Sequence, residues 1–563
     1  MDNQRLFLYG ALGLLLLLMW QTWQVDYGPA GQRTPEPVAE SGSGSAPAEA
    51  PEADVPDAPL AEADSDTSAG TTTPEQMQRA LPRGQRVHVV TDTLDVTLDT
   101  RGGDLRRARL RDYKETLAGD KPIELLSDTE SEFFVAQSGL QADAAPAPTH
   151  HAEFTAERSE YRLAEGQDTV RVPLVWRGDG VEVRKIYTFH RGSYVIDVGF
   201  EVVNNGAEPW VGRQYRQLQR RRLDDSSRMS LLPTFIGAAY YTEEDKYEKI
   251  AFEDIAEEPL RKQVEGGWTA MVEHYFVASW APGADENNTL YTKHLGNGSP
   301  RYLIGMYSDA QRVAPGASGR FDTRLYVGPK VAEYLDPVAA GLELTIDYGY
   351  LGFVSKWLFV VLDWIHGYVG NWGWAIVLLT LMIKALFYKL SETSYRSMAR
   401  MRKLQPKIQQ LRERHGDDRE KMGRAMMDLY KKEKINPLGG CLPILVQIPV
   451  FIALYWMLLG SVELRHADWI LWINDLSVRD PWYVLPLLMG ASMYFQQKLN
   501  PAPVDPLQQK IFAALPIIFT VFFAFFPSGL VLYWLTNNLL SIAQQYYITR
   551  FVVGDGKPVG KAG

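Results

Sequence analysis

Five apolar segments in the last third of the chain constrain its fold more than any other feature. They cover roughly residues 372–388, 438–460, 483–498, 511–526 and 529–548. Four prolines interrupt them, namely Pro443, Pro449, Pro486 and Pro516. A bilayer tolerates such interruptions where neighbouring helices or water satisfy the freed backbone groups. The segments therefore predict a polytopic α-helical membrane protein.

A sixth apolar segment, residues 6–20, lies near the N-terminus and follows Arg5. It fits either a signal-peptide core or a membrane anchor. No small-x-small cleavage site follows Trp20 to Trp23, which favours an uncleaved anchor over residues 1–25 and raises the total to six spans. Residues 26–82 come next, and from Thr34 to Gln76 they contain acidic side chains but no Lys or Arg. Their abundance of Pro, Ala, Ser and Gly predicts a disordered acidic tether.

Alternation with period two indicates a large all-β domain over residues 83–335. Val181 to Ile186 and Tyr194 to Val198 are clear examples, and Asp179-Gly180 is typical of the turns between them. Two packed sheets are expected. The scattered histidines have no metal-ligand spacing, so neither a metal site nor a cofactor is predicted.

Residues 336–370 lead from this domain to the apolar segments. An apolar, mainly aromatic stripe recurs there at helical spacing, while Lys356, Asp363 and His366 lie off it. The stripe consists of Phe353, Trp357, Val360, Trp364 and Tyr368. It predicts an amphipathic helix lying in the membrane interface. A short spanning helix is the alternative, and Asp363 weakens it.

Charge flanking the segments predicts their orientation. Residues 391–436 contain 13 basic and 7 acidic side chains, so the positive-inside rule places this connection in the cytoplasm. The connections over 462–482 and 526–529 lack such an excess and are predicted to lie outside. Both termini, including the tail 551–563, are then cytoplasmic. The β domain lies across the membrane, in the periplasm of a Gram-negative cell.

Lys384 stands inside an otherwise apolar helix, where a charge costs about 2.5–3.5 kcal/mol on insertion scales. With a rise of ~1.5 Å per residue, Lys384, Gln447 and Ser541 all fall ~12 Å from the cytoplasmic face, and Asn537 matches Thr380 one turn higher. Tyr533, Asn537, Ser541 and Gln544 share a helix face. Snorkelling of the lysine and simple interhelical hydrogen bonding are alternatives. The matched depths favour a hydrated groove that opens inward.

The cytoplasmic connection 391–436 predicts two amphipathic helices forming a basic hairpin with a methionine-rich seam. A solvated hairpin near anionic lipid is one interpretation. The sharper interpretation is a docking arm for nascent chains, ribosomes or targeting factors. The residues expected to contribute are Arg412, Arg414, Arg419, Met422 and Met426.

Several function classes are disfavoured by what the sequence contains. No phosphate-binding glycine loop, nucleophile elbow or His-Glu-x-x-His helix occurs, so an ATP-driven pump or a membrane protease is not expected. The net charge of -10 gives no reason to expect nucleic-acid readout. We therefore expect no enzyme activity.

Four motifs carry a resemblance to a known family. They are Gly370-Asn-Trp-Gly373, Met401-Arg-Lys-Leu-Gln-Pro-Lys407, Ile435 to Pro443, and Pro527 to Trp534 with Asn537-Asn538. Together they resemble the bacterial YidC membrane protein insertases, with near-continuous similarity from about Gly349 to Arg550. Lys389 departs from the pattern, because a proline is expected there.

The resemblance implies a five-helix insertase core over 371–550, a periplasmic domain of the β-supersandwich type, and insertion of nascent membrane proteins alone or with the Sec translocon. It places the family's groove charge on Lys384. The substrate groove is expected to comprise Thr380, Lys384, Gln447, Tyr533, Trp534, Asn537, Asn538, Ser541 and Gln544. The alternative function is a secondary transporter or ion pathway through the same polar layer. Against it, Lys384 has no obvious intramembrane acidic partner, and no internal repeat is apparent.

Overall fold

The computed structural model of the protein describes residues 55–56, 81–143, 145–222, 235–296, 300–415, 419–433, 442–500 and 506–552. The predicted anchor 1–25, most of the tether 26–82 and nearly all of the tail 551–563 lie outside the described residues. The chain divides into two compact units, with the boundary between Ile346 and Asp347.

The N-terminal unit consists of two antiparallel-dominated sheets. Among the described residues, the larger sheet has 11 strands in the order β14-β17-β18-β11-β5-β3-β2-β1-β7, with β19 beside β11 and β4 beside β3. Its strands are β1 (Arg86–Val90), β2 (Leu94–Asp99), β3 (Asp104–Lys114), β4 (Pro122–Leu126), β5 (Phe134–Ala142), β7 (Glu160–Arg162), β11 (Trp210–Arg221), β14 (Arg261–Glu265), β17 (Asn287–Leu295), β18 (Arg301–Ser308) and β19 (Gln311–Val313).

The second sheet has nine strands within the described part of the chain, in the order β13-β12-β15-β16-β20-β10-β9-β8-β6. Its strands are β6 (Thr155–Ala156), β8 (Thr169–Gly178), β9 (Val181–His190), β10 (Val195–Asn204), β12 (Gly237–Thr242), β13 (Lys246–Ile250), β15 (Trp268–Val272), β16 (Phe276–Ala281) and β20 (Ser318–Pro329). Two short helices, α1 (Phe252–Glu257) and α2 (Ala332–Leu335), and a 3-10 turn (Leu342–Thr345) complete the unit.

The alternating pattern of β9 and β10 buries one side of each strand, as predicted. Ile196, Val198 and Phe200 of β10 are fully buried. Lys185 of β9 is a buried polar exception to the apolar rule, and its ammonium donates to the carbonyl oxygens of Gly102 (3.1 Å) and Ser138 (2.8 Å). Burial lowers the pKa of Lys185 to about 8. The core therefore contains a charge that hydrogen bonds compensate only in part.

The C-terminal unit is helical. Its helices are α3 (Gly352–Val369), α4 (Trp372–Leu386), α5 (Tyr388–His415), α6 (Arg419–Lys432), α7 (Leu442–Gly460), α8 (Val484–Leu499), α9 (Pro506–Phe523) and α10 (Ser528–Tyr547). A 3-10 turn (Val462–Leu464) follows α7, and a π-helical turn (Ile548–Val552) follows α10. Helix α10 packs against α4 and α8 and, over a shorter length, α7, while α9 packs on α8. It is therefore the central helix of this unit.

Among the described residues, no individual helix is both long enough and apolar enough to span a membrane. Helix α4 and the part of α5 up to Leu411 reach that length and apolarity only when taken together, and a bend of 69° separates them. The bend lies at Phe387, so α4 ends there although Lys389 replaces the expected proline.

Outer surfaces of the helical unit are apolar. Leu381 and Leu386 of α4, Phe495 of α8 and Ile517 of α9 are all exposed. The aromatic stripe of α3 is exposed as well, from 51% at Val360 to 79% at Phe353, while Ser355, Leu362 and Ile365 face the protein. Exposed apolar surface on this scale marks contact with lipid or another protein.

Candidate functional site

The start of α4 is fixed by the motif Gly370 to Gly373. Gly370 ends α3 in the left-handed conformation (φ 67°), and the Asn371 side chain then caps α4 by accepting from the Trp374 N–H at 3.0 Å. A Cβ on Gly373 would lie 2.2 Å from the Trp469 ring, so only glycine permits this close approach. These local constraints set the depth at which Lys384 is presented three turns later.

A second set of contacts lies at the ends of α4 and α10 that are far from the hairpin, and it joins both ends to the connection between α7 and α8. Asn371 Nδ2 donates to the carbonyl oxygens of Asp468 (3.1 Å) and Trp469 (3.2 Å). Ser528 Oγ donates to the Asp475 carbonyl at 2.8 Å, and Gly529 N donates to Leu476. The connection between α7 and α8 therefore covers this end of the helices.

Lys384 of α4 meets α10 through one hydrogen bond. Its Nζ donates to Ser541 Oγ at 2.8 Å, and Ser541 in turn donates to the Asn537 carbonyl at 2.6 Å. Lys384 is partly buried, and no carboxylate lies within ion-pairing distance of it among the described residues. An ammonium with a neutral partner keeps its net charge, so the site can attract an anionic group from outside.

A second polar contact joins α7 to α10 one turn away. Gln447 Nε2 donates to Asn537 Oδ1 at 2.8 Å, and the buried Tyr533 hydroxyl lies within hydrogen-bonding reach of Gln447. Trp534 adds an aromatic wall, because its ring meets that of Phe451 edge-on at 4.4 Å. Of the three residues predicted to share one depth, Lys384 and Ser541 are in direct contact, whereas Gln447 contacts Asn537, one turn of α10 away from Ser541.

Two residues predicted for the groove lie elsewhere. Asn538 turns toward α8 and donates to Ser492 Oγ at 3.3 Å, because it is one residue, about 100°, round the helix from Asn537. Thr380 is buried and donates to Ile376 of its own helix at 2.7 Å. The groove assignment of these two side chains is therefore corrected. Gln544 is partly buried, and its Nε2 has no hydrogen-bond partner within the part of the chain that the structure describes.

Sequence reasoning missed Tyr395, which comes from the first turns of α5. Its hydroxyl lies within hydrogen-bonding reach of Ser541, the residue that accepts from Lys384. A tyrosine in a basic amphipathic helix gives no signal of such a contact. Only the sharp bend between α4 and α5 directs it back onto α10.

The hairpin consists of α5 and α6. Leu404 and Ile408 of α5 pack with Met426 of α6, and Leu429 and Tyr430 border this cluster. Met422 and Met426 are 5% and 8% exposed, so they hold the hairpin together and are not available on its surface. Their prediction as docking contacts is wrong for this reason. Met427 of α6 is exposed instead.

A groove of about 310 Å³ runs between the two hairpin helices. Its floor is apolar and its rim is mainly basic. The lining residues are Lys407, Gln410, Leu411, Arg414, Ala425, Asp428, Leu429 and Lys432. Arg414 is thus on the groove rim, whereas the side chains of Arg412 and Arg419 lie outside what the structure describes.

A β-sheet unit is followed by a helical unit that has an apolar outer surface and polar contacts among its helices, the combination expected of a membrane protein with a domain outside the bilayer. Residues 86–361 match the family description "YidC periplasmic domain", and residues 364–555 match "60Kd inner membrane protein". A protein named membrane protein insertase YidC from Thioalkalivibrio sulfidiphilus is 55% identical, covering 99% of this chain and 100% of that one. Its namesake from Nitrosococcus oceani is 48% identical with the same coverage.

The chain belongs to the YidC family of membrane protein insertases. It is accordingly an inner-membrane protein with a periplasmic domain, and the predicted fold class is confirmed. Among solved structures, an active YidC insertase crystal structure is 19% identical with a TM-score of 0.37, covering 83% of this chain and 93% of that one.

Proposed function

We propose that this protein inserts nascent membrane proteins into the inner membrane, and helps them fold and assemble, through the groove at Lys384. The observation that carries the proposal is the Lys384–Ser541 contact. It presents a cation close to polar side chains of α7 and α10 and gives it no acidic partner within the described residues. A proton-coupled or ion-coupled transporter would need titratable partners at this depth. The transporter alternative therefore has no support.

Insertion at such a site requires no bond-breaking chemistry, and we assign no enzyme activity. A short, often acidic, translocated segment of the substrate enters the groove near Lys384. Polar side chains and opposite charge lower the cost of moving it into the bilayer. Its apolar helix then leaves sideways along α7 and α10 into lipid. Burial of roughly 20 apolar residues drives this last step.

The orientation belongs to the same proposal. Six spans, with both termini and the hairpin in the cytoplasm, place the groove opening on the side from which substrates arrive. The exposed stripe of α3 then lies in the periplasmic interface, where aromatic side chains are favourable. The basic hairpin can contact anionic lipids, ribosomes and targeting factors, and the Sec translocon is a further partner.

The decisive experiment is photo-crosslinking during synthesis of a single-span substrate. A photoreactive amino acid at Gln447 or Asn537 should crosslink to the nascent chain, whereas one at Leu386, exposed on the outer face of α4, should crosslink more weakly. Solute flux through reconstituted vesicles without any substrate crosslink would contradict an insertase.

A further inference from the structure

Val55 and Pro56 are the only described residues before residue 81, and they lie against the β-sheet unit. Val55 is 9% exposed and Pro56 is also buried. Gln141 Nε2, at the end of β5, donates to the Pro56 carbonyl at 3.0 Å. The predicted tether therefore contains a segment that is packed and hydrogen-bonded on the domain that follows it.

The sequence explains why this position of the tether can dock. Between Thr34 and Gln76, the large apolar residues are only Val38, Val55 and Leu60. The proline after Val55 restricts both residues to extended backbone, so little conformational entropy is lost on binding. Because proline has no N–H, the carbonyl of Pro56 is its one backbone hydrogen-bonding group. That carbonyl is the atom that Gln141 binds.

The receiving surface contains an arginine beside Gln141. Arg213 of β11 is paired with Gln141 across the ladder, so the two side chains lie on the same face of the sheet. The Arg213 guanidinium lies 5.9 Å from the Tyr307 ring centre and 3.9 Å from the Asp143 carboxylate. In the sequence, Asp54 and Asp57 flank the docked dipeptide.

We propose that the surface around Gln141 and Arg213 is a peptide-docking site whose occupant is the chain's own tether, centred on Val55-Pro56. Attachment through the chain keeps the local concentration of the segment high, in the millimolar range for short flexible linkers, so a small contact can remain occupied.

Docking divides the tether into two shorter pieces. For a flexible chain of about 5–6 Å × √n, the roughly 55 residues from 26 to 80 would have a root-mean-square span of roughly 37–44 Å. The 29 residues from 26 to 54 would span roughly 27–32 Å. With the proposed membrane anchor before residue 26, docking thus shortens the reach of the β domain from the bilayer. This consequence rests on the proposed anchor, whereas the docking itself does not.

Cysteine labelling of the purified full-length protein tests the docking. In a Cys441→Ser background, which removes the one native cysteine, Val55→Cys is compared with Val38→Cys for its rate of reaction with a maleimide. We expect Val55→Cys to react at least about tenfold more slowly, because labelling requires undocking. Equal rates at the two positions would overturn the proposal.

The binding surface is tested by a second substitution in the Val55→Cys protein. Gln141→Ala should raise the labelling rate toward that of Val38→Cys, while Gln263→Ala, at an exposed position on β14 of the same sheet, should leave it unchanged. An excess of a synthetic peptide with the sequence of residues 49–62 should also accelerate labelling by competition. Slow labelling that neither Gln141→Ala nor the peptide changes would refute the assigned site. Insertion activity does not enter this measurement, so it can fail independently of the insertase proposal.

Discussion

Lys384 Nζ and Ser541 Oγ lie 2.8 Å apart although 157 positions separate the two residues in the chain. The contact joins α4, which carries the lysine of the proposed groove, to the central helix α10. It leaves the charge unneutralised, because serine supplies only a hydroxyl. The effect of Lys384 on a substrate should therefore depend on its sign.

Reversal of that sign is the first prediction. At ~8 Å and an effective dielectric constant of ~20, two unit charges interact by about 2 kcal/mol. Lys384→Glu should therefore slow the insertion of substrates with acidic tails by at least about tenfold, and substrates with neutral tails less. Lys384→Arg should insert both at nearly the normal rate. Protection of the translocated tail from protease measures the insertion rate of both substrate types in each variant. Lys389→Glu, which changes an exposed lysine, serves as the control.

If Lys384→Glu inserts acidic tails at the normal rate, the electrostatic role of this lysine is wrong. If the loss is the same for acidic and neutral tails, hydration of the groove matters and the sign of the charge does not.

Tyr395 connects the hairpin to the same hydroxyl and gives the second prediction. Tyr395→Phe removes the contact with Ser541 and keeps the ring, so we expect a reduction in insertion of about two- to fivefold, consistent with the ~0.6 kcal/mol typical of interhelical hydrogen bonds in membranes. Tyr388→Phe, at the start of the same helix, is the matched control. In a Ser541→Ala background, Tyr395→Phe should cause little further loss, and full additivity would exclude the shared contact.

The third prediction concerns the contact between α7 and α10. A double-mutant cycle of Gln447→Ala and Asn537→Ala should give a coupling of about 0.5–1 kcal/mol in reversible unfolding in detergent. Gln447→Ala with Asn538→Ala should give almost none, because Asn538 faces α8. Similar coupling for both pairs would contradict the two-faced arrangement of α10.

Much of this architecture could be predicted from the sequence. Period-two alternation revealed the sheets because water and core lie on opposite sides of their strands, and apolar runs revealed the helices. Helix rise alone predicted the Lys384–Ser541 level correctly, whereas Gln447, predicted at the same level, contacts Asn537 one turn away. Rotation about the helix axis is harder to predict, because neighbouring polar residues such as Asn537 and Asn538 differ by about 100° and only the packing partners show which one faces the groove.

The contacts that sequence reasoning missed depend on the path of the chain. Tyr395 reaches Ser541 because α4 and α5 meet at a bend of 69°. Val55-Pro56 lies in a segment whose composition predicts disorder. Composition describes the average of the whole segment, so it cannot reveal that two of its residues bind to the β unit. Met422 and Met426 illustrate the opposite problem, since an apolar stripe does not reveal whether it faces a partner or its own hairpin.

The fourth prediction uses the buried Lys185 of the β unit. Its pKa is about 8 when folded and 10.5 in the reference state, so the folded state binds fewer protons than the unfolded state between these values. Stability should therefore rise with pH through that window, by up to about 3 kcal/mol. Lys185→Met should remove this rise. Urea unfolding of the full-length protein at pH 7 and pH 10, followed by tryptophan fluorescence, measures the difference, and an equal rise in both proteins would contradict the assignment.

The fifth prediction separates docking from insertion. Arg412, Arg414 and Arg419 replaced together by glutamate should weaken association with ribosomes or targeting factors by at least about tenfold at low salt, and raised salt should weaken the unmodified protein similarly. Lys384→Glu should bind ribosomes normally. Met426→Ala should instead destabilise the hairpin, because this side chain packs with Leu404 and Ile408 between α5 and α6. Sedimentation with ribosomes measures the first effect, and proteolysis of the hairpin measures the second.

Because Arg414 lines the basic groove between the helices, Arg414→Glu alone should account for a measurable part of the loss in ribosome binding. Normal ribosome binding by the triple variant at low salt would leave the hairpin as a connector only.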